Sequence, residues 1–285
     1  MEHTSRIVPT VARRCLQWGA CLALTARAWL IYRWGSPIRS LVWDESVFQP
    51  VVEAFGWTWS EWVTSAVVDQ ALTQGETITA GLLFGAGIGV WGVYSIRAWL
   101  ARSSRWLVQS GGVLLLLITL LAWKSHFFQW AYLLEMSLQW MAPFLVVALV
   151  QGRYIAWSIL RWAIVFTFIG HGLYALGVYS VPGHFIEMTN NGLGLNTSQA
   201  RWFLRTVGTL DVLAAVGLFF TNKRIVNWSC YYLIAWGALT ALARLWSHQY
   251  GFSIHLLLTQ WTPEVLVRFI HFLGPLAYWV WRNRR

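Results

Sequence analysis

Eight apolar runs of membrane-spanning length divide this chain, and they restrict its possible folds more than any other feature. A helix needs about 20 mostly apolar residues to cross a bilayer, and lipid offers no partners to the backbone of an irregular segment. The runs lie at residues 14–33, 78–96, 106–123, 127–150, 157–178, 203–220, 228–246 and 263–281. We therefore predict an all-α polytopic membrane protein with about eight transmembrane helices.

The composition agrees with a membrane protein. The chain has 285 residues, of which 57% are hydrophobic and only 11% are charged, whereas soluble domains carry about 25% charged residues. Its 22 tryptophans suit the aromatic belts at membrane surfaces. The net charge of +10 is spread between the apolar runs, so we predict the lipid bilayer as partner and no nucleic acid. The three cysteines form no CxxC pair, and we predict no metal centre.

The alternation of charge predicts the orientation of the helices. Lys and Arg concentrate in every second aqueous segment, beginning with the first, whereas most Asp and Glu lie in the segments between them. Because positively charged loops stay in the cytoplasm, both termini are predicted to be cytoplasmic, in a bacterial inner membrane. The sequence Ala26-Arg27-Ala28 resembles a signal-peptide cleavage site, but an arginine is unusual there, and we favour an uncleaved first helix.

The two halves of the chain share an order of features that indicates an internal repeat. The fourth and eighth runs each carry a proline, Pro143 and Pro275. We predict two parallel four-helix units, residues 1–150 and residues 151–285, related by an axis along the membrane normal. Two pairs of polar residues correspond in this repeat: Arg27 with His171, and Gln139 with His271.

A long loop follows the first run and is rich in tryptophan. Residues 34–77 contain Trp57, Trp59 and Trp62 among acidic and aliphatic residues at helical spacing. This pattern predicts short amphipathic helices that lie at the outer membrane surface. The same loop is the predicted docking surface for a partner in a membrane complex.

One segment of the second half carries a family resemblance. Residues 171–196 read HGLYALGVYSVPGHFIEMTNNGLGLN, and the order of a helix, a proline-bearing loop with amphipathic helices and three further helices surrounds them. The segment and this order resemble the DoxX-like membrane proteins, which typically contain one four-helix unit rather than two. Some DoxX-type proteins are linked to quinone-coupled sulfur or oxygen redox complexes, so the resemblance implies a redox-linked membrane function.

A layer of ionisable residues lies inside the runs, where charge is costly and is most often functional. From the helical rise of 1.5 Å per residue, its members lie about 9–12 Å below the predicted outer ends of their helices. The layer contains Glu135, His171, Asp211, His271 and Arg27, and the arginines closer to the surface are Arg205, Arg244 and Arg268.

This layer predicts a polar cavity open to the outer leaflet. In it, a redox-linked subunit would bind a small hydrophobic ligand such as a quinone. The candidate catalytic residues, which would exchange protons, are Glu135, His171, Asp211 and His271. The candidate ligand-binding residues, which would hold carbonyl or anionic groups, are Arg27, Arg244 and Arg268.

Other interpretations stay open, and so does the question of whether a reaction is catalysed. The arginines could pair with Glu135 and Asp211 and lock the helices together, in a non-catalytic structural or assembly subunit. A small-molecule transporter that uses the repeat interface is a further alternative. His171 and His271 could ligate haem, or join the two acids around a metal, but no attachment motif or local ligand spacing supports either site.

Two further features are interpreted as structural. His248 and His255 lie seven residues apart in the last loop, where solvated histidines are commoner than ligands. Four glycines of the second run could suggest a phosphate loop, but no GKS or GKT follows, and close helix packing is the better interpretation. These glycines are Gly81, Gly85, Gly87 and Gly89.

Overall fold

The computed structural model describes residues 9–247 and 253–284, and within them the chain is helical and forms no β-strand. The prediction of an all-α protein is therefore confirmed. The elements follow in the order α1 (Thr10–Trp34), α2 (Pro37–Val42), α3 (Glu45–Ala54), α4 (Trp59–Thr64), α5 (Ala66–Gly92), α6 (Ala98–Ser125), α7 (Trp130–Glu135), α8 (Ser137–Val150), α9 (Ile155–Leu176), α10 (Gly183–Leu193), α11 (Thr197–Gly217), α12 (Lys223–Ser247), α13 (Ile254–Leu256), a π-helical turn (Leu257–Trp261), α14 (Thr262–Leu266) and α15 (Ile270–Asn283).

Four helical segments within the described residues are long and apolar enough to cross a membrane, which indicates an integral, multi-pass membrane protein. They coincide with the third, fourth, fifth and seventh predicted runs. The segments are Ala98–Ser125, Trp130–Val150, Ile155–Leu176 and Lys223–Ser247. The other four runs are also helical, in α1, α5, α11 and α14–α15. Their crossing of the membrane, and the repeat of two four-helix units, stay predictions.

The helices pack around a main apolar core in which α9 contacts α7, α8, α11 and α15. The side chains of Trp157, Leu160 and Phe168 on α9 are at most 1% exposed. Glycines allow close backbone approach: a Cβ added to Gly172 of α9 would lie 2.9 Å from the carbonyl oxygen of Gly208 on α11. On the other side of the core, α1 packs against α5 and α15.

Two segments of the core are interrupted. The predicted span at residues 127–150 is divided into α7 and α8, which join at Met136. The first N–H groups of a helix have no intrahelical acceptor, and the N–H of Leu138 donates instead to Thr167 Oγ1 of α9 at 3.1 Å. A turn at residues 267–269 similarly separates α14 from α15.

Each interrupted segment carries a proline four residues after a polar side chain. Pro143 follows Gln139 in α8, and Pro275 follows His271 in α15. Because proline has no N–H, the carbonyl groups of Gln139 and His271 lose their usual helical donor. Each proline therefore leaves one backbone carbonyl group without its helical donor, at a residue whose polar side chain enters the core.

The loop between α1 and α5 is fastened by Glu76, which is 8% exposed on α5. Its carboxylate accepts hydrogen bonds from the N–H of Ser36 at 2.7 Å and from the guanidinium of Arg39 at 3.0 Å. This carboxylate raises the pKa of Arg39. At the end of α6, Lys124 pairs with Asp44 and holds the pKa of Asp44 below its usual range. Buried and ionic contacts thus bind the loop to the helices.

Candidate functional site

Five polar side chains from different core segments form a continuous series of contacts, here called the buried polar chain. In order, they are Arg27 of α1, Gln139 of α8, His271 of α15, His171 of α9 and Glu135 of α7. The first contact is a hydrogen bond of 3.1 Å, which Arg27 Nη2 donates to Gln139 Oε1. The amide nitrogen of Gln139 lies 3.5 Å from His271 Nε2.

Two histidines, His271 and His171, join Gln139 to the carboxylate of Glu135 in the buried polar chain. His171 Nε2 lies 3.5 Å from His271 Nδ1. On the other side of the same ring, His171 Nδ1 lies 3.6 Å from Glu135 Oε1. These separations are at or just beyond the upper limit of a hydrogen bond, so a small movement of the rings would tighten them.

The side chains of the buried polar chain are shielded from solvent. His271 is 2% exposed, Gln139 4% and Glu135 6%. His171 and Arg27 are half-buried. In such surroundings a hydrogen bond is stronger than in water, and a polar group without a partner is costly. The five groups therefore depend on one another for their polar contacts.

The end groups determine the direction in which the chain donates. Arginine has only donors, and an ionised carboxylate has only acceptors. Because Gln139 accepts from Arg27 through Oε1, its amide nitrogen faces His271 and donates to Nε2. A neutral His271 then directs its Nδ1–H toward His171 Nε2, and a neutral His171 directs its Nδ1–H toward Glu135 across 3.6 Å. Protonation of Glu135 turns one of its oxygens into a donor that can face His171 Nδ1, so a proton can pass between Glu135 and His171. The order cannot reverse as far as Gln139, because Arg27 has only donors and the amide nitrogen that faces His271 cannot accept.

Two glycines let neighbouring backbones approach the ends of the chain. A Cβ added to Gly170 of α9 would lie 2.4 Å from the backbone nitrogen of Glu135. A Cβ added to Gly237 of α12 would lie 2.8 Å from the carbonyl oxygen of His271. Side chains of ordinary residues do not fit at these distances, so the two glycines allow the packing that positions Glu135 and His271.

Asp211 is separate from the buried polar chain, although the sequence places it at the same depth. It is 2% exposed on α11. Its carboxylate accepts a hydrogen bond of 3.0 Å from the hydroxyl of Tyr232 on α12. Three of the four candidate catalytic residues are thus brought together, and the fourth lies in a different contact between helices.

The three candidate ligand-binding arginines also have different surroundings. Arg27 belongs to the buried polar chain. Arg268 pairs with Glu264 on the preceding turn. The interpretation as a structural subunit instead predicts that it pairs with Glu135 or Asp211. Arg244 is 6% exposed and donates to the carbonyl of Thr240 at 3.1 Å.

Several partners were not identified from the sequence. Gln139 is recognised there as the counterpart of His271, but not as the group that joins it to Arg27. The spacing of four residues between Glu264 and Arg268 is a signal that predicts their pairing. No sequence signal links Tyr232 to Asp211. His255 is exposed, and His248 lies outside the described residues.

The positions of the histidines restrict which metal or haem cofactors the site can hold. Within residues 9–247 and 253–284, no group of three or more His, Cys, Asp or Glu side chains is placed to hold a metal ion. The rings of His171 and His271 contact each other through their nitrogens at 3.5 Å. A haem iron and its porphyrin do not fit between two imidazoles in direct contact, so this arrangement does not suit bis-histidine ligation.

Comparison with known proteins gives no match among protein-family models, curated proteins or solved structures. The functional assignment therefore depends on the membrane character of the helices and on the buried polar chain.

Proposed function

We propose that this protein is an integral membrane subunit that exchanges protons with a small hydrophobic ligand, for which a quinone is the candidate. The observation that carries the proposal is the position of His171, between the carboxylate of Glu135 and the imidazole of His271. Carboxylates and imidazoles are the usual groups of general acid–base chemistry, and imidazole exchanges protons near neutral pH.

Two features support a quinone-like ligand: N–H donors in the buried polar chain and an apolar cavity beside α1. Arg27 and Gln139 supply N–H donors, which suit the carbonyl oxygens of a quinone. A cavity of about 460 Å³ lies between the first half of α1 and residues 269–273, and apolar side chains such as Trp18 and Phe272 line it. Members of the buried polar chain are not part of its lining, although His271 neighbours Phe272 in the sequence. A hydrophobic ligand or its tail has a suitable place there.

The redox link is part of the same proposal. The DoxX-like resemblance favours a quinone-coupled complex, in which a partner protein would supply or accept the electrons. The site would open to the outer leaflet, and the loop of residues 34–77 would dock the partner. The protein's own contribution is to hold the ligand and to pass protons between Glu135, His171 and His271.

Binding measurements test this function. Detergent-purified protein is titrated with a short-chain quinone and followed by tryptophan fluorescence, and by calorimetry in two buffers of different protonation enthalpy. Wild type is expected to bind saturably and to exchange protons on binding. Glu135→Gln should keep the binding but lose the proton exchange, and His271→Ala should lose both. Mass spectrometry of extracted lipids shows whether a quinone co-purifies.

Asp211→Asn provides the matched control, because Asp211 is also a buried acid but contacts Tyr232 instead of the buried polar chain. It is expected to leave quinone binding and proton exchange unchanged. Absence of saturable binding by folded wild type would contradict the proposal. So would equal loss of both signals in Asp211→Asn and Glu135→Gln.

A structural subunit is the second candidate, because the buried polar chain also joins α1, α8, α9 and α15. In that case Gln139→Leu, which disconnects Arg27 from His271, would lower the melting temperature while folded wild type binds no ligand. A proton-exchanging site instead predicts that Glu135→Gln separates ligand binding from proton exchange.

A further inference from the structure

A second cavity, of about 440 Å³, lies among the first turns of α9 and α12 and the last turns of α15, and its lining is polar. Three cationic residues from these helices line it: Arg161, Lys223 and Arg282. The hydroxyl-bearing residues Ser158 and Tyr278 belong to the same wall. We call this the cationic pocket; it is distinct from the buried polar chain.

Aromatic and amide contacts hold the walls of the cationic pocket together. Trp157 at the start of α9 stacks on Trp281 at the end of α15, with ring centroids 4.7 Å apart and an interplanar angle of 10°. The amide of Asn283 on α15 donates to Asn227 of α12 at 3.3 Å. The three helix ends are thus fixed relative to one another before any ligand binds.

The pocket has a strong excess of positive charge. Its lining contains three cationic residues and no Asp or Glu. In the described part of the chain, none of the three cations forms a salt bridge. Arg161 lies over the ring of Phe219 at 4.7 Å, and its Nε is buried without a hydrogen-bond partner among the described residues. The electrostatics therefore favour an anionic ligand with several acceptor oxygens.

The position of the pocket indicates where such a ligand would come from. The segments Ile155–Leu176 and Lys223–Ser247 are both long and apolar enough to span a membrane. The pocket lies at the first turn of each, which is where a span meets the polar boundary of the bilayer. Basic pockets between helices at this boundary suit phosphate-bearing lipid headgroups.

We propose that the cationic pocket binds a phosphate group through Arg161, Lys223 and Arg282. The guanidinium groups offer paired donors to phosphate oxygens, and the ammonium group adds a point charge. Ser158 and Tyr278 add hydroxyl donors. The group belongs to an anionic phospholipid or to a free phosphate compound, two sources that share this chemistry.

The test uses the full-length protein, reconstituted in neutral phosphatidylcholine. One arm adds an anionic phospholipid, the other adds inorganic phosphate, and thermal unfolding and retained lipid are measured. Anionic lipid is expected to raise the melting temperature and to stay bound through purification. Arg161→Gln with Lys223→Gln should weaken binding about thirtyfold, from the effect of two basic residues near the membrane surface.

The control pair Arg102→Gln with Arg224→Gln removes the same charge from exposed residues outside the pocket lining. It is expected to retain the response. A response to lipid alone identifies a headgroup, and a response to phosphate as well identifies a site for free phosphate. The proposal is overturned if the pocket pair and the control pair respond alike. Lys223→Gln alone, at an exposed position, repeats the test without altering buried Arg161 atoms.

Discussion

At the scale of single residues, Gly170 shows how closely this membrane protein packs around a polar group. Its Cα faces the backbone of α7, where an added Cβ would meet the nitrogen of Glu135 at 2.4 Å and the carbonyl oxygen of Ala131 at 2.6 Å. Backbone atoms cannot rotate away as side chains do. The hydrogen atom in place of a side chain is therefore what allows Glu135 to lie beside α9.

Gly170→Ala is expected to destabilise the protein by about 1–3 kcal/mol, because the methyl group forces α7 and α9 apart. The measurement is unfolding in detergent, followed by tryptophan fluorescence. Gly81→Ala is the control: Gly81 is also helical, but a Cβ there has no atom within 4 Å, so the close packing interpreted from the sequence is wrong for this glycine. Alanine should be neutral or stabilising by up to about 1 kcal/mol at that site. Equal destabilisation by both substitutions would refute the close-packing argument.

At the scale of helices, the interruption at Met136 depends on a hydroxyl group of another helix. Thr167 of α9 is fully buried, and its Oγ1 accepts from the free N–H of Leu138. In lipid no water replaces such an acceptor. The division of one apolar run into α7 and α8 is thus a feature that α9 stabilises.

Thr167→Val keeps the shape of the side chain but removes the acceptor, so the N–H of Leu138 remains buried and unpaired. We expect a loss of about 1–3 kcal/mol in unfolding free energy. Thr119→Val is the matched control, because the hydroxyl of Thr119 donates only to Leu115 within its own helix. Its effect should be clearly smaller. Comparable losses in the two variants would mean that the hydrogen bond to Leu138 contributes little.

The contact between Asp44 and Lys124, which binds the first loop to α6, makes a prediction about pH. Lys124 lowers the pKa of Asp44, so the contact stabilises the folded protein above the unfolded carboxyl pKa of about 3.9 and is lost as the pH falls through the lower folded value. Asp44→Asn should therefore melt below wild type at neutral pH. The difference should begin to shrink as the pH falls below about 4 and should disappear once the pH is below the lowered folded pKa of Asp44. A difference that persists in acid would exclude this ion pair as its cause.

At the scale of the whole molecule, the distribution of charge predicts the topology. Ser60 and Ser103 are both exposed, and the charge pattern predicts that they lie on opposite sides of the membrane. The native cysteines are buried or half-buried, so labelling of introduced cysteines has little background. Few substitutions are therefore needed to test the orientation.

A membrane-impermeant maleimide is expected to label Ser60→Cys in intact cells, and Ser103→Cys only after the cells are permeabilised. The reason is the excess of Lys and Arg around residue 103, which keeps that loop in the cytoplasm. The reverse pattern would invert the predicted topology. Labelling of both positions from outside would contradict an odd number of crossings between them.

The sequence by itself predicted the all-α class, the helical runs and the polar residues near one depth, because length, hydropathy and helical rise are local properties. It placed Glu135, His171 and His271 at a similar depth. It could not predict the side of each helix on which they lie, since that depends on how the neighbouring helices pack.

Only the tertiary structure decided which of these groups meet. Contacts of α9 with its neighbours, such as those of Gly170 with α7 and of Gly172 with α11, set the rotation of the helix. This rotation turns His171 toward Glu135 and His271. The same packing turns Asp211 toward Tyr232. Because burial removes water as a partner, each polar group depends on the side chain that a neighbouring helix places beside it. The identity of that side chain is decided by the packing of the helices and not by the sequence of any one segment.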